Sequence, residues 1–216
     1  MVTVEFVLVQ HAEKHRTAGD PGLTSVGVQQ AERTAAVLVS RHRSGERIDG
    51  LFASPARRTR ETAAPLATAL GLPTRLDARL RERMNWGYGP AGQSLDDFLR
   101  EWARATADRD FTPASGESSR TAGARLLAAL DDLATNGPGG RLVLVTHGGV
   151  TVDLLRTLVG DDALQRQHPT LLAQGIPPAA VTRLRRRSGG YVPMEVASVA
   201  HLVVADGSPA SGGERP

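Results

Sequence analysis

The chain has 216 residues, with 26 basic and 23 acidic side chains and a formal net charge of +3 at pH 7. This length favours one domain with a sizeable core, and the near balance of charge argues against a nucleic-acid-binding surface. The absence of cysteine excludes disulfides, a thiolate nucleophile and cysteine-ligated zinc. No apolar run is long enough to cross a bilayer and the N-terminal sequence lacks signal-peptide features, so we expect a cytoplasmic protein without a membrane partner.

Strand-like apolar runs alternate with helical patterns along the chain. In the first half of the chain the sequence predicts a strand over 3–10, a helix from the N-cap Thr24 to about residue 41, a strand over Gly50–Ala53, a helix over 56–70 and a strand over Thr74–Leu76. An irregular segment follows over 80–95, and then helices over 95–107 and 118–135. The sequence predicts a further strand after the turn at 137–140, a helix over 150–158 and a last strand within 195–204. Strands separated by helices predict a three-layer α/β/α sandwich with a mostly parallel central sheet.

The end of the chain is expected to contribute little to this fold. We expect one domain over residues 1–205 and a disordered tail over 206–216, because the tail is rich in Ser, Gly and Pro. The basic run from Arg183 to Arg187 is interpreted as a solvated loop, with contact to an anionic partner as the alternative.

Two histidines stand at the carboxyl ends of apolar, strand-like runs. His11 ends the first run, and His147 ends the run that starts at Arg141. Because ligands bind outside the carboxyl ends of the strands in an open α/β sheet, we expect both imidazoles in one crevice. Arg58 follows another strand end, and its planar guanidinium can bind a phosphate through two parallel hydrogen bonds. This combination predicts chemistry on a phosphate.

These residue types favour phosphoryl transfer without a metal or another cofactor. A neutral imidazole at His11 can attack phosphorus and form a phosphohistidine. Arg58, and His147 if it is protonated, would neutralise the phosphoryl oxygens. Glu82, in the irregular segment, would protonate the leaving alcohol.

The same residues belong to a series of short motifs. The motifs are Gln10-His11-Ala12, Leu23 to Ala31, Ser54 to Ala63, Leu80-Arg81-Glu82, Gly116-Glu117-Ser118 and Thr146-His147-Gly148-Gly149. In their type and order the chain resembles the histidine phosphatase superfamily, which has the phosphoglycerate mutase-like fold, from about residue 4 to residue 204. The resemblance implies that His11 is the nucleophile, that Glu82 is the proton donor, and that Arg58 and His147 bind the phosphate.

The first motif departs from the family pattern, in which an arginine precedes the nucleophile and a glycine follows it. Gln10 and Ala12 occupy these positions here. Glutamine donates only neutral hydrogen bonds, so the change is expected to cost about 1–2 kcal/mol of phosphate stabilisation, or roughly tenfold in rate. We hypothesise that Lys14 points into the pocket and restores the missing charge, with Arg57 and Arg60 as alternatives.

Other functions compete with a phosphatase for a small-molecule phosphate ester. The motifs of zinc hydrolases, P-loop enzymes and α/β-hydrolases do not occur. A degenerate protein that binds a phosphorylated ligand without turnover, because of Gln10, stays open. A mutase is disfavoured, since the resembling mutases carry an insertion where the segment from Glu82 to Gly116 is short. Trp86 and Tyr88 are candidates for a substrate wall, and assembly as a homodimer is left open.

Overall fold

The structure is a computed structural model that describes residues 4–203. Its strands are β1 Glu5–Gln10, β2 Gly50–Ala53, β3 Thr74–Leu76, β4 Arg141–Thr146, β5 Val181–Arg187 and β6 Gly190–Ser198. Its α-helices are α1 Ser25–Arg43, α2 Arg57–Leu70, α3 Leu95–Ala107, α4 Ser119–Asn136, α5 Gly148–Val159, α6 Asp161–Gln167 and α7 Leu171–Gln174. Single 3-10 turns cover Ala78–Leu80 and Ala200–Leu202.

The six strands form one sheet in the order β3-β2-β4-β1-β5-β6. The pairs β3-β2, β2-β4 and β4-β1 are parallel, whereas β5 is antiparallel to both β1 and β6. Gln10 at the end of β1 lies opposite Thr146 at the end of β4. The next residues, His11 and His147, therefore leave the sheet side by side at its carboxyl edge.

Alternate residues of the central strands face two different helical layers. Phe6 and Leu8 of β1 belong to a core with side chains of α4 and α5, while Val7 and Val9 belong to a core with side chains of α1 and α2. Successive side chains of a strand point to opposite faces, and both faces are covered here, which explains why β1 is continuously apolar from Phe6 to Val9. The predicted α/β/α sandwich with a mostly parallel sheet is confirmed.

Local sequence signals place several element ends correctly. The Thr24 side chain accepts a hydrogen bond from the Gly27 backbone N–H at 3.0 Å, so the predicted N-cap of α1 is confirmed. Gly71 follows α2 with φ +63°, a left-handed conformation that favours glycine and ends the helix. The strands over Gly50–Ala53 and Thr74–Leu76 have the predicted bounds.

The basic run from Arg183 to Arg187 is not a solvated loop, contrary to the sequence interpretation. The run belongs to β5, which pairs with β1. Leu184, which lies between Arg183 and Arg185, is buried in the core. Arg183 Nη2 donates to Glu5 Oε1 at 2.6 Å, so this guanidinium is neutralised across the sheet. The last strand, β6, covers Gly190–Ser198, so it lies earlier in the chain than the strand expected within residues 195–204.

A buried ion pair joins three of the helices to the segment before α3. Arg83 Nη1 lies 3.0 Å from Asp153 Oδ1, and both side chains are almost completely buried. The same Arg83 donates to Thr106 Oγ1 of α3, and Asp153 of α5 accepts from Ser119 Oγ of α4 at 2.6 Å. The Arg83 guanidinium also lies 4.1 Å from the centre of the Trp102 ring, a cation–π contact. This network fixes the position of α3.

Two sequence expectations remain without a structural outcome. The single domain over residues 1–205 stays a prediction, and the tail over 206–216 lies outside the described residues. Within residues 4–203, no helix combines the length and the apolar character needed to cross a membrane.

Candidate active site

His11 follows β1 directly and is buried at the carboxyl edge of the sheet. Its Nδ1 lies 2.8 Å from the Ala12 carbonyl oxygen. A carbonyl oxygen only accepts, so Nδ1 carries the proton and Nε2 keeps its lone pair. Burial, followed by the nearby charge of Arg58, lowers the pKa of His11 to about 3. The ring is therefore a neutral imidazole with a free nucleophilic nitrogen.

His147 follows β4 and lies next to His11, with 5.3 Å between the two ring centres. Its Nδ1 is 3.1 Å from Arg58 Nη2, which can only donate, and its Nε2 is 2.9 Å from Ser54 Oγ. The Nδ1 atom therefore accepts, and Nε2 donates to the hydroxyl. Complete burial, then the charge of Arg58, holds the pKa of His147 well below its ordinary value. His147 is therefore neutral in the free pocket. It does not supply the second charged donor that was expected of a protonated ring.

Arg58 is the second residue of α2, and its cationic side chain is buried at the carboxyl edge of the sheet. Its Nη2 also donates to Asn85 Oδ1 at 2.7 Å, and its Nη1 lies 3.7 Å from Asp20. Its Nε is buried without a hydrogen-bond partner among residues 4–203. A buried N–H without a partner is costly, so a hydrogen-bond acceptor placed beside this atom would stabilise the site.

Glu82 lies over the amino end of α5. Its two carboxylate oxygens accept from the backbone N–H groups of Gly149 at 2.9 Å and Val150 at 2.7 Å. A Cβ atom added to Gly149 would lie 2.7 Å from the Glu82 carboxylate and 2.5 Å from the Trp102 ring, so this close approach requires glycine. The strand-to-helix turn after His147 therefore positions Glu82 as well.

Glu82, His11, Arg58 and Lys14 all line one cavity of about 380 Å³. Arg16 lines it as well, which the sequence analysis missed although Arg16 lies two positions beyond Lys14 in the same loop. Burial, followed by the charges of Arg58 and Arg16, lowers the pKa of Lys14. The side chain that was expected to point into the pocket is therefore close to the other cations.

Gln10, in place of the family arginine, faces an adjoining cavity. This second cavity, of about 330 Å³, also reaches His11, Lys14 and Glu82. The Gln10 amide packs on Gly148, and its Oε1 is buried without a hydrogen-bond partner among the described residues. The amide is therefore within the site, but at a different side from Arg58.

The alternatives to Lys14 do not face the main cavity. Arg57 Nε donates to Glu61 Oε1 at 2.6 Å on the surface of α2, and neither Arg57 nor Arg60 is among the lining residues. Trp86 does line the cavity, as expected of a substrate wall, whereas Tyr88 does not and is 64% exposed.

The sequence did not predict Ser54 as a hydrogen-bond partner of His147, or Asn85 as a partner of Arg58. Ser54 and Asn85 lie within recognised motifs or next to them, but their hydrogen bonds to His147 and Arg58 depend on the folded chain. Across residues 4–203, the side chains of His, Asp and Glu do not gather in a group of three that would suit a metal ion.

Comparison with known proteins identifies the family of this chain. The family model described as histidine phosphatase superfamily (branch 1) matches residues 6–198. The chain is 31% identical over 196 residues to the probable phosphoglycerate mutase GpmB of Yersinia enterocolitica, which covers 86% of this chain and 81% of that relative. The chain therefore belongs to the histidine phosphatase superfamily.

Solved structures with the same fold include phosphatases. Mycobacterial hydrolase 1 superposes with a TM-score of 0.72 at 24% identity, over 91% of this chain and 99% of its own. A mycobacterial glucosyl-3-phosphoglycerate phosphatase in complex with inorganic phosphate superposes with a TM-score of 0.68 at 25% identity, over 91% and 98% of the two chains. Family and neighbours together support a phosphatase.

The lowered pKa of His11 predicts an acid-sensitive fold. Below pH 6.5 the unfolded chain takes up a proton on His11 that the folded chain does not bind until about pH 3. The free energy of unfolding therefore falls with falling pH, by about 1.4 kcal/mol per pH unit for this residue. We expect His11→Gln to reduce the slope by that amount between pH 6 and pH 4.5 in urea unfolding. A variant that keeps the wild-type slope would contradict the buried neutral imidazole.

Proposed function

We propose that this protein is a metal-independent phosphomonoesterase that acts on a small phosphorylated metabolite through a phosphohistidine. The observation that carries the proposal is the state of His11, which is neutral, has Nδ1 fixed by the Ala12 carbonyl and leaves Nε2 free. The same cavity holds Arg58 and Lys14 for the phosphate and Glu82 for the proton. A nucleophile, cationic donors and an acid are the groups that this reaction needs.

In the first step, the phosphate of the ester binds to Arg58 and Lys14. The Nε2 lone pair of His11 attacks phosphorus, a P–N bond forms and the P–O bond to the alcohol breaks. Glu82 enters this step as the carboxylic acid and gives its proton to the departing oxygen, which leaves the carboxylate that the Gly149 and Val150 N–H groups stabilise. In the second step, a water attacks the phosphohistidine while Glu82 takes the proton from it, and inorganic phosphate leaves with His11 regenerated as a neutral ring.

His147 is proposed to bind the phosphate in a way that depends on the substrate. In the free site its Nδ1 accepts from Arg58, and this bond orients the guanidinium. A bound dianion adds negative charge beside the ring, which favours protonation of His147. The protonated ring would then donate to a phosphoryl oxygen and release Arg58 to do the same.

Two other functions are compatible with particular observations. Gln10 replaces a charged phosphate donor with a neutral one, which favours a protein that binds a phosphorylated ligand without turnover. The relative from Yersinia is named a probable phosphoglycerate mutase, which keeps transfer to a second hydroxyl as a candidate. A mutase converts one phosphoglycerate into its isomer, whereas the proposed enzyme releases inorganic phosphate.

Turnover of p-nitrophenyl phosphate in the presence of EDTA tests the proposal against a protein that binds a phosphorylated ligand without turnover. We expect the wild type to release p-nitrophenol and phosphate, and His11→Ala to lose this activity. Gln10→Arg adds a charged donor, and we expect it to raise the rate by roughly tenfold. An inactive wild type that gains activity only as Gln10→Arg would show a binding protein instead, and turnover that persists in His11→Ala would contradict the mechanism.

Lys14→Ala tests whether this lysine replaces the missing arginine. Loss of a charged donor to the phosphate is expected to lower kcat/KM by roughly tenfold. Arg57→Ala is the matched control, because it removes a cation from the same edge that pairs with Glu61 and does not line the cavity. Unchanged phosphate affinity and turnover in Lys14→Ala would show that Lys14 has no such role.

A further inference from the structure

One face of α3 is apolar and borders the cavity instead of the core. Leu95, Phe98, Leu99 and Trp102 recur at the spacing of one helical face, and all four line the cavity that holds His11. Within α3 the buried residue is Ala105. Leu95 remains 42% exposed and Leu99 50% exposed. Apolar area that the fold does not cover therefore lies beside the proposed nucleophile.

The cavity is lined by both charged and apolar side chains. His11, Arg58 and Lys14 are among its polar residues, and a phosphate is expected to bind beside them. Met84 and Trp86 continue the apolar wall from the segment before α3. A ligand that places its phosphate beside His11 would extend its remaining atoms along this wall.

The wall has a fixed position. The Trp102 ring stacks on the Arg83 guanidinium, 4.1 Å from its centre, and Arg83 pairs with the fully buried Asp153. Trp102 lines both cavities, as do His11, Lys14 and Glu82. A rigid apolar wall discriminates between ligands, because it cannot rearrange to offer a polar partner.

We propose that the substrate is the phosphate monoester of an apolar alcohol, alkyl or aryl, rather than of a polyhydroxylated one. This proposal rests on the proposed function and adds the chemical class of the leaving group. Each methylene buried on the wall increases affinity, whereas a hydroxyl placed there loses its water. The wall offers it little in return, because the strong hydrogen-bonding groups of these six side chains are two indole N–H groups, and that of Trp86 already donates to the Gln93 carbonyl oxygen. The wall therefore selects against sugar phosphates.

A series of alkyl phosphates tests the proposal, because their leaving alcohols have similar intrinsic reactivity. The series runs from methyl through ethyl, propyl and butyl phosphate to 2-phenylethyl phosphate, with glycerol phosphate and ribose 5-phosphate as hydroxylated comparisons. We expect kcat/KM to rise by up to about fourfold per methylene and the hydroxylated esters to fall below butyl phosphate. A flat series, or a preference for the hydroxylated esters, would overturn the proposal.

Leu99→Ser is the variant that removes part of the wall without disturbing the core, since Leu99 is half exposed. We expect it to flatten the dependence of kcat/KM on chain length. Met194→Ser is the matched control, because Met194 is also 50% exposed but lies on β6 and does not line the cavity. Equal slopes in Leu99→Ser and Met194→Ser would contradict a role of α3 in binding the leaving group.

Binding of alkyl phosphonates separates this proposal from the proposed function. The chain has two tryptophans, Trp86 and Trp102, and both line the cavity, so intrinsic fluorescence reports its occupancy. We expect affinity to increase from methylphosphonate to butylphosphonate to 2-phenylethylphosphonate. This increase without any phosphate turnover would support the apolar site and refute the phosphatase. Turnover with equal phosphonate affinities would refute the apolar site and leave the phosphatase intact.

Discussion

The parallel pairing of β1 with β4 is the constraint on which the site depends. It places His11 and His147 side by side, since each is the first residue beyond its strand. α5 then begins at Gly148, directly after His147, and its first free N–H groups hold the Glu82 carboxylate. The β1–β4 pair and the turn after β4 therefore place the proposed nucleophile His11, the His147 ring and the proposed acid Glu82 at the same edge of the sheet.

Burial, followed by the charge of Arg58, has the largest effect on the protonation states of His11 and His147. Arg58 is close enough to both imidazoles to disfavour a second positive charge on either, and loss of contact with water acts in the same direction. The result is a neutral His11 beside a charged guanidinium. A phosphate dianion brings the charge that this arrangement lacks, and it meets a nucleophile that needs no deprotonation.

The sequence predicts those features that local patterns encode. The apolar runs ending in His11 and His147 and the Thr24 cap act through neighbours in the chain, and the family motifs add the order in which they occur. The strand at Arg183 escaped prediction because its charges are compensated by Glu5, a residue that sequence spacing does not connect with it. Alternation of buried Leu184 with paired arginines is a strand pattern only once that partner is known.

The sequence also does not predict that His147 is neutral in the free site. Its neutrality depends on complete burial and on hydrogen bonds to Arg58, at the start of α2, and to Ser54, the residue after β2. The apolar face of α3 shows the opposite case. Its spacing is visible in the sequence, but a helical apolar face ordinarily packs on a core, and the folded chain is needed to see that this one borders a cavity.

Trapping the covalent intermediate tests the central claim most directly. The protein would be mixed with ³²P-labelled substrate, quenched within the first turnover, and digested for mass spectrometry under conditions that preserve phosphoramidates. The account predicts an acid-labile, base-stable phosphoryl group on His11, attached at Nε2. Release of phosphate with no labelled protein, or a label on any residue other than His11, would contradict it.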